Sequence, residues 1–273
     1  TETTELLERL RPSSDYLVGW HDAFARGTSL GRGLVHRATH VHAGEEPDAN
    51  AFMPIERQEL PGRFFFVIPK SWLWMGLWFF LNDPGMRLVN AVKYQSGRLH
   101  ARKGAYLEPH AAYHFLLDYV PNWKLAYRPG GLVQYQVFVP NAAAARVFGK
   151  LVETCREAHH LPYLLVTKRH LPDPFLMTHA VDGFSMAMDF RIRPGRLDRF
   201  RDLARRLDEI VLEASGRFYF AKDSVMRPEP LARSYPVDNV RRFLALKRRL
   251  DPENILATDL FRRVFGASTA ANP

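Results

Sequence analysis

The amino-acid sequence predicts an α+β fold, an antiparallel sheet layered by helices and followed by a C-terminal helical segment. Short stretches in which every second residue is apolar indicate strands, and longer stretches with apolar residues three or four apart indicate helices. Their order, strand, helix, two strands, helix and strand, is typical of a sheet with helices packed on it. The chain has 273 residues, 47% of them hydrophobic, which is enough for one large domain or two modest ones.

The first two strands are predicted to form a hairpin. Residues 15–25 and 34–41 have strand patterns, and a glycine-rich turn at residues 27–33 joins them. The glycines also suggest a phosphate-binding loop, but no helix pattern follows them, and such loops use a helix N-terminus. A polar stretch at residues 42–62 then predicts a long surface loop or a lid over a site.

A dense aromatic segment at residues 64–80 includes three tryptophans close to Lys70. A membrane-spanning helix needs about 20 apolar residues, and this segment is shorter and is interrupted by Pro69, Lys70 and Ser71. Two interpretations remain. The segment is either a buried strand, a turn and the apolar start of a helix, or a surface that dips into a lipid interface. We favour burial in the core.

The central strand predicted at residues 132–139 places two glutamines, Gln134 and Gln136, on the face opposite Val133. Side-chain amides donate and accept hydrogen bonds, so this pair in a cleft would suit a polyhydroxylated ligand, whereas on an exposed face it would carry no function. Asn141 is predicted to cap the next helix. Further elements are predicted at residues 142–159 (helix), 163–167 and 184–192 (strands), and 195–214 (helix).

The segment from Gly216 to Ser224 places a Lys-Asp-Ser cluster directly after an aromatic run. Gly216 is expected to end the preceding helix with a positive φ, and the aromatic run at residues 218–220 favours a half-buried strand. Lys222 and Asp223 would then stand at a strand end. Spacing alone favours an ordinary solvated pair of charges there. Helices at residues 237–250 and 260–264 follow, and the residues after Gly266 are expected to fray.

The charge and cysteine content limit the classes of partner and site. Lysine and arginine number 38 against 29 aspartate and glutamate, and the net charge of +9 favours an anionic partner. We expect no nucleic-acid partner, because the basic residues are spread over helices without a recognised motif. The single cysteine, Cys155, excludes an intramolecular disulfide, and no metal site is expected. Without a signal-peptide pattern we expect a cytoplasmic location, with membrane association as an open alternative.

Three segments in order, residues 123–136, 216–224 and 247–252, resemble the later part of FAD-linked oxidoreductases of the vanillyl-alcohol oxidase type. The resemblance runs from about Tyr16 to Val264. It implies FAD as the cofactor and an N-terminal FAD-binding half that lies either earlier in a longer protein or in a separate partner. The implied division is a substrate (cap) domain at residues 1–213, a segment completing the FAD-binding domain at 214–265, and a disordered tail at 266–273.

The resemblance also implies roles for individual residues. Lys222 and Tyr219 would lie beside the flavin, where a cation stabilises the negative charge left by hydride arrival. Gln134, Gln136 and Lys168 would face the sugar-like or polyol substrate. The implied reaction is the oxidation of a secondary alcohol by hydride transfer to the flavin.

Several positions depart from the family pattern and indicate a differently lined pocket. His114 stands where the nearest member has a tyrosine, and Ser185 and Ala187 replace an asparagine and a cysteine. His114 is a candidate general base, although a histidine on a strand is more often structural. Trp123 either shapes the pocket entrance or packs under a turn. The alternative function is a non-catalytic binding module for an anionic lipid or a protein partner.

Overall fold

The computed structural model describes residues 2–42, 44–45, 49–58, 63–64, 68–114, 120–222 and 225–270. It confirms the α+β fold class. The strands are β1 (Tyr16–His21), β2 (Gly33–Ala38), β3 (Arg63–Phe64), β4 (Ile68–Pro69), β5 (Gly131–Pro140), β6 (Leu164–His170), β7 (Gly183–Ile192) and β8 (Arg217–Phe218). The helices are α1 (Glu2–Leu10), α2 (Leu73–Phe80), α3 (Asp83–Ala101), α4 (His110–His114), α5 (Asn141–Glu157), α6 (Leu197–Leu212), α7 (Pro228–Ser234), α8 (Val237–Leu250) and α9 (Asp259–Ala270).

The main sheet has six strands in the order β2-β1-β6-β7-β5-β8, and its paired strands are antiparallel. Strands β3 and β4 pair separately as a small hairpin. The longest pairing joins β5 to β7 over ten residue pairs, from Gly131 opposite Ile192 to Pro140 opposite Gly183. These two strands therefore form the centre on which the other elements are placed.

The predicted hairpin at the start of the chain is present, but its first strand ends earlier than expected. Strand β1 stops at His21 because the side chain of Asp22 turns into a buried network. Its carboxylate accepts hydrogen bonds from the guanidinium of Arg32, the amide of Asn90 and the backbone N–H of Phe24. A buried carboxylate needs such partners, so the network outweighs the apolar pattern that extended the predicted strand to residue 25.

One face of the sheet packs against α5 and α6 and forms the main core. The residues Val133, Tyr135, Val137 and Val139 of β5 point to this face, as the alternating pattern predicted. The α5–α6 layer contributes fully buried side chains such as Leu151, and it separates this face from solvent. The opposite face of the same strands is therefore the one on which polar residues can meet a ligand.

The ends of two predicted helices differ from expectation. Asn141 is the first residue of α5 and not its cap; its side-chain amide donates to Glu8 Oε1 at 3.1 Å. After α6 the left-handed backbone is adopted by Ser215, with φ of 55°, and not by Gly216. Gly216 is required for space, because an added Cβ would stand 2.6 Å from Val211 Cγ1. The sequence correctly predicted that a glycine is needed at position 216, but the reason is the lack of space for a side chain and not a positive φ.

The aromatic segment does not enter the core as predicted. Strands β3 and β4 are short, residues 65–67 lie outside the described part, and α2 has no fully buried residue. Within the described residues, no helix is both long and apolar enough to cross a bilayer. At the other end of the chain, α9 continues to Ala270, whereas the sequence predicted fraying after Gly266.

Candidate functional site

A polar face lies on the side of the sheet opposite α5 and α6. The strand register puts Gln134 directly opposite Asp189, and Ser185 between Phe138 on β5 and Lys168 on β6. Gln136 lies in the row between these two. Because residues two apart share a face of a strand, the predicted substrate residues Gln134, Gln136, Lys168 and Ser185 lie on one surface. We call Gln134, Gln136, Lys168 and Asp189 the polar face.

The carboxylate of Asp189 is the most perturbed acid of this face. It is only 2% exposed, and Gln134 Nε2 donates to its Oδ1 at 2.8 Å. Burial raises the pKa of Asp189 to about 6, while the hydrogen bond from Gln134 and the charge of Lys222 oppose the rise. Asp189 was not predicted as a site residue. The alternating pattern of β7 could have indicated it, because that pattern places Asp189 on the same face as Ser185.

A tight turn brings Tyr219 and Lys222 to the edge of the polar face. The backbone N–H of Tyr219 donates to the Gln136 carbonyl at 3.0 Å, and the N–H of Lys222 donates to the Tyr219 carbonyl at 3.1 Å. Strand β8 ends at Phe218, so Tyr219 lies outside the strand that was predicted at residues 218–220, and Lys222 follows the strand end as predicted. The rest of the predicted cluster, Asp223 and Ser224, lies outside the described residues.

Two lysines of the site interact electrostatically. The pKa of Lys168 is lowered, first by the atoms packed around its ammonium group and second by the positive charge of Lys222. Lys168 is nevertheless exposed to solvent as a residue. Because each cation raises the energy of the other, an anionic group between them is favoured.

Ser185 is placed on this side of the sheet but is 1% exposed. Its hydroxyl and His170 Nε2 are 2.8 Å apart, and the His170 ring packs edge-on against Phe138. Burial first, and then the positive charges of nearby residues, lower the pKa of His170 to about 4. The buried hydroxyl of Ser185 therefore contacts a neutral imidazole and is closed to solvent.

His114 ends the short helix α4 and does not lie on a strand as predicted. Its ring centroid is 4.5 Å from that of Tyr16 and 4.1 Å from that of His110. Desolvation and the nearby charges of His110, Lys168 and His40 lower the pKa of His114. His114 is thus exposed, neutral at neutral pH and electrostatically coupled to Lys168 on the polar face.

Trp123 is not one of the residues of the polar face. It begins the 3-10 turn Trp123–Tyr127 and packs into a second, smaller core cluster that includes Phe24 and Leu81. Its ring meets that of Tyr127 edge-on, with centroids 6.0 Å apart. These contacts agree with packing under the turn, and a role at the pocket entrance stays a prediction.

The residues of the polar face fit one side of a flavin. Reduction leaves negative charge around N1 and the C2 carbonyl of the ring, and Lys222 and Lys168 are cations at the edge of a half-buried surface. The turn at residues 27–33 is a hairpin connection without a helix after it, so it does not provide a pyrophosphate cradle. Among the described residues, no group of three or more His, Cys, Asp or Glu could hold a metal.

Comparison with known proteins gives one informative similarity. No protein-family model matches the chain. Decaprenylphosphoryl-β-D-ribose oxidase of Mycolicibacterium smegmatis is 27% identical over 259 residues, which cover 91% of this chain. The chain is therefore similar to this oxidase over most of its own length. The resemblance predicted from the three sequence segments is thereby confirmed.

The aligned region of decaprenylphosphoryl-β-D-ribose oxidase is 51% of its length, so the chain spans about half of that relative. A second similar protein, the "Uncharacterized protein in mprA 5'region" of Streptomyces coelicolor, is 24% identical over 275 residues. That alignment covers 97% of this chain and 70% of the relative.

Proposed function

We propose that this chain is the substrate-domain half of an FAD-dependent oxidoreductase that oxidises a secondary alcohol of a sugar-like or polyol substrate. The observation that carries the proposal is the polar face, where two amides, a buried carboxylate and a lysine share one surface with Lys222 at its edge. Residues 214–265 would complete an FAD-binding domain. The remainder of that domain would come from the same protein or from a partner.

The two glutamines would bind and orient the substrate. Gln134 uses one N–H on Asp189, which fixes its amide and leaves its other N–H and its carbonyl oxygen for a hydroxyl group. Gln136 lies two residues along the same strand and adds a second amide. A pair of neighbouring amides would select ligands with neighbouring hydroxyls, since a ligand without them would leave half-buried polar groups unpaired.

The charged residues would support the chemical step. Bound FAD would supply the acceptor for the hydride, which leaves the alcohol carbon with both electrons of the C–H bond. His114 would take the hydroxyl proton at an imidazole nitrogen, because its lowered pKa keeps the ring neutral at neutral pH. Lys222 would hold the negative charge that hydride transfer creates.

The proposal is tested by replacing Lys222 with methionine in the full-length gene product with FAD bound. Anaerobic reduction of the flavin is followed at its visible absorption band, with aldopentoses, alditols and their phosphate esters as substrates. Loss of one fixed charge at a developing anion costs about 100-fold or more in rate. Lys150→Met is the matched control, because Lys150 is an exposed lysine of α5 on the opposite side of the sheet.

Two results would contradict the proposal at different levels. A full-length protein that binds no flavin would remove the oxidoreductase assignment. A protein that binds flavin, and whose reduction by substrate is equally fast with Lys222→Met and Lys150→Met, would keep the assignment and remove the role of Lys222.

A further inference from the structure

Two neighbouring helices, α2 and α3, each present an unpartnered apolar stripe. Trp72 precedes α2, and Trp72, Met75 and Phe79 follow one another at helical spacing with exposures of 60%, 43% and 69%. On α3 the residues Leu88, Val92 and Leu99 are 56%, 60% and 58% exposed. We call these six residues the α2–α3 surface. Exposed apolar residues grouped on neighbouring helices are typical of an interaction site.

The α2–α3 surface is not needed to hold the helices in place. The opposite sides of both helices already pack into the smaller core cluster, through Leu77 of α2 and through Met86 and Val89 of α3. The indole Nε1–H of Trp78 also donates to the Arg128 carbonyl at 2.7 Å. The exposed stripes are therefore additional to the packing that positions the two helices.

The segment that carries the apolar stripes is basic. From residue 70 to residue 103 the sequence has six lysines and arginines and a single acidic residue, Asp83. The carboxylate of Asp83 accepts a hydrogen bond from the Tyr163 hydroxyl at 3.0 Å. Apolar and aromatic side chains flanked by cations are the composition of elements that lie in the interface of an anionic bilayer.

A cleft of about 280 Å³ adjoins this surface and is rich in arginine. Its lining includes Arg26, Arg32, Ser29 and Arg87, the last of which directly precedes Leu88 on α3. The guanidinium of Arg32 is paired with Asp22 at 2.7 Å. In the described part of the chain, none of the ion pairs includes Arg26 or Arg87. These two arginines can therefore receive an external anion, and arginine matches a phosphate group well.

We propose that the α2–α3 surface docks onto an anionic lipid bilayer, with a lipid phosphate held between Arg26 and Arg87. The helices would lie in the interface without crossing the bilayer, because α2 has only eight residues. A protein partner fits less well, since charged residues as a class are depleted at the centre of a protein interface, whereas Arg87, Lys93 and Arg98 alternate with the apolar residues along the sequence of α3.

The first experiment measures sedimentation of the full-length gene product with vesicles. Vesicles of phosphatidylcholine alone are compared with vesicles that also contain phosphatidylglycerol. The variant Trp72→Ser/Phe79→Ser is expected to weaken binding by roughly 100-fold, since two large apolar side chains no longer leave water. Phe175→Ser/Ile255→Ser is the matched control, because these side chains are 72% and 75% exposed elsewhere. Equal loss in both variants would overturn the proposal.

The second variant, Arg26→Gln/Arg87→Gln, tests the cleft. It is expected to bind the phosphatidylglycerol vesicles about tenfold or more weakly, because each basic residue near an anionic surface contributes to attachment. Its far-ultraviolet circular dichroism should match the unaltered protein. Unaltered protein that fails to sediment with the anionic vesicles, or a variant that sediments as well as the unaltered protein, would contradict the proposed headgroup site.

A third measurement distinguishes the bilayer from other occupants of the surface. Phe79→Cys is labelled with an environment-sensitive dye, while the natural Cys155 is buried and does not compete. A blue shift that appears only with anionic vesicles supports the proposal. A dye that is already blue-shifted without vesicles would show that another part of the protein covers the surface. A shift that depends on protein concentration alone would indicate a second copy, and both of these results overturn the proposal.

Discussion

Replacing Asp189 with asparagine should stabilise the protein at neutral pH far more than in acid. The carboxyl group is 2% exposed, and burial raises its pKa to about 6. Asparagine has the same shape, and its side-chain oxygen can still accept the hydrogen bond from Gln134. The substitution therefore removes the ionisation of Asp189 while it keeps the contact that orients the Gln134 amide.

The size of the effect follows from the difference in pKa between the folded and unfolded chain. An unfolded aspartate ionises near its model value of 3.8, and the folded carboxyl ionises about two pH units higher. Between these values the folded state holds a proton that the unfolded state has released, so the free energy of unfolding falls as pH rises. The loss is complete above about pH 6 and amounts to about 3 kcal/mol.

The assay is urea unfolding of the unaltered protein and of Asp189→Asn across the range from about pH 4 to about pH 8. The difference in free energy of unfolding between the two proteins should grow through this range by about 3 kcal/mol and then level off. Asp202→Asn is the control, since Asp202 is an exposed carboxylate of α6, and its effect should stay within about 0.5 kcal/mol. A difference for Asp189→Asn that is constant with pH, or that shrinks as pH rises, would refute the reasoning.

Three further predictions concern packing around the sheet. Gly216→Ala should lower the free energy of unfolding by about 2 kcal/mol in urea titrations, because the added Cβ would stand 2.6 Å from Val211 Cγ1. The control Gly149→Ala, whose added Cβ has nothing within 4 Å, should raise the free energy of unfolding by about 0.5 to 1 kcal/mol. Equal effects of the two substitutions would contradict this prediction. Burial raises the pKa of Cys155 to about 12, so a thiol reagent should react with it only as the protein unfolds; rapid reaction in the folded protein would be inconsistent with that pKa. Leu151→Ala should cost about 2 to 5 kcal/mol, and a loss below about 1 kcal/mol would argue against its place in the core.

The sheet and its helix-packed face could be predicted because apolar residues alternate with other residues along the strands. The apolar set lies on the face that the helices bury. Strand β5 was placed to within one residue at each end, and the two glutamines were assigned to the correct face. Helix α8 was predicted with its observed bounds. In these elements the local pattern and the tertiary packing agree, so a single sequence is sufficient.

The other features depend on contacts that are distant in sequence. The raised pKa of Asp189 comes from its burial in the folded sheet, and its hydrogen-bond partner Gln134 lies 55 residues away. The sequence neighbours of Asp189 signal neither feature. The aromatic segment was expected in the core because apolar residues are usually buried there. Only the inner apolar residues of α2 and α3 pack into the smaller core cluster. The outer apolar residues of both helices remain in solvent.

The carbonyl oxygen of Arg128 joins two parts of the molecule that have separate tasks. It accepts hydrogen bonds from the indole of Trp78 on α2 and from the guanidinium of Arg191 on β7, and Arg191 also donates to the Leu81 carbonyl that follows α2. Arg191 is two residues from Asp189 on the same strand. A tilt of helix α2 would break hydrogen bonds that link it to β7, the strand that carries Asp189. These bonds therefore hold α2 and the polar face at a fixed distance from each other.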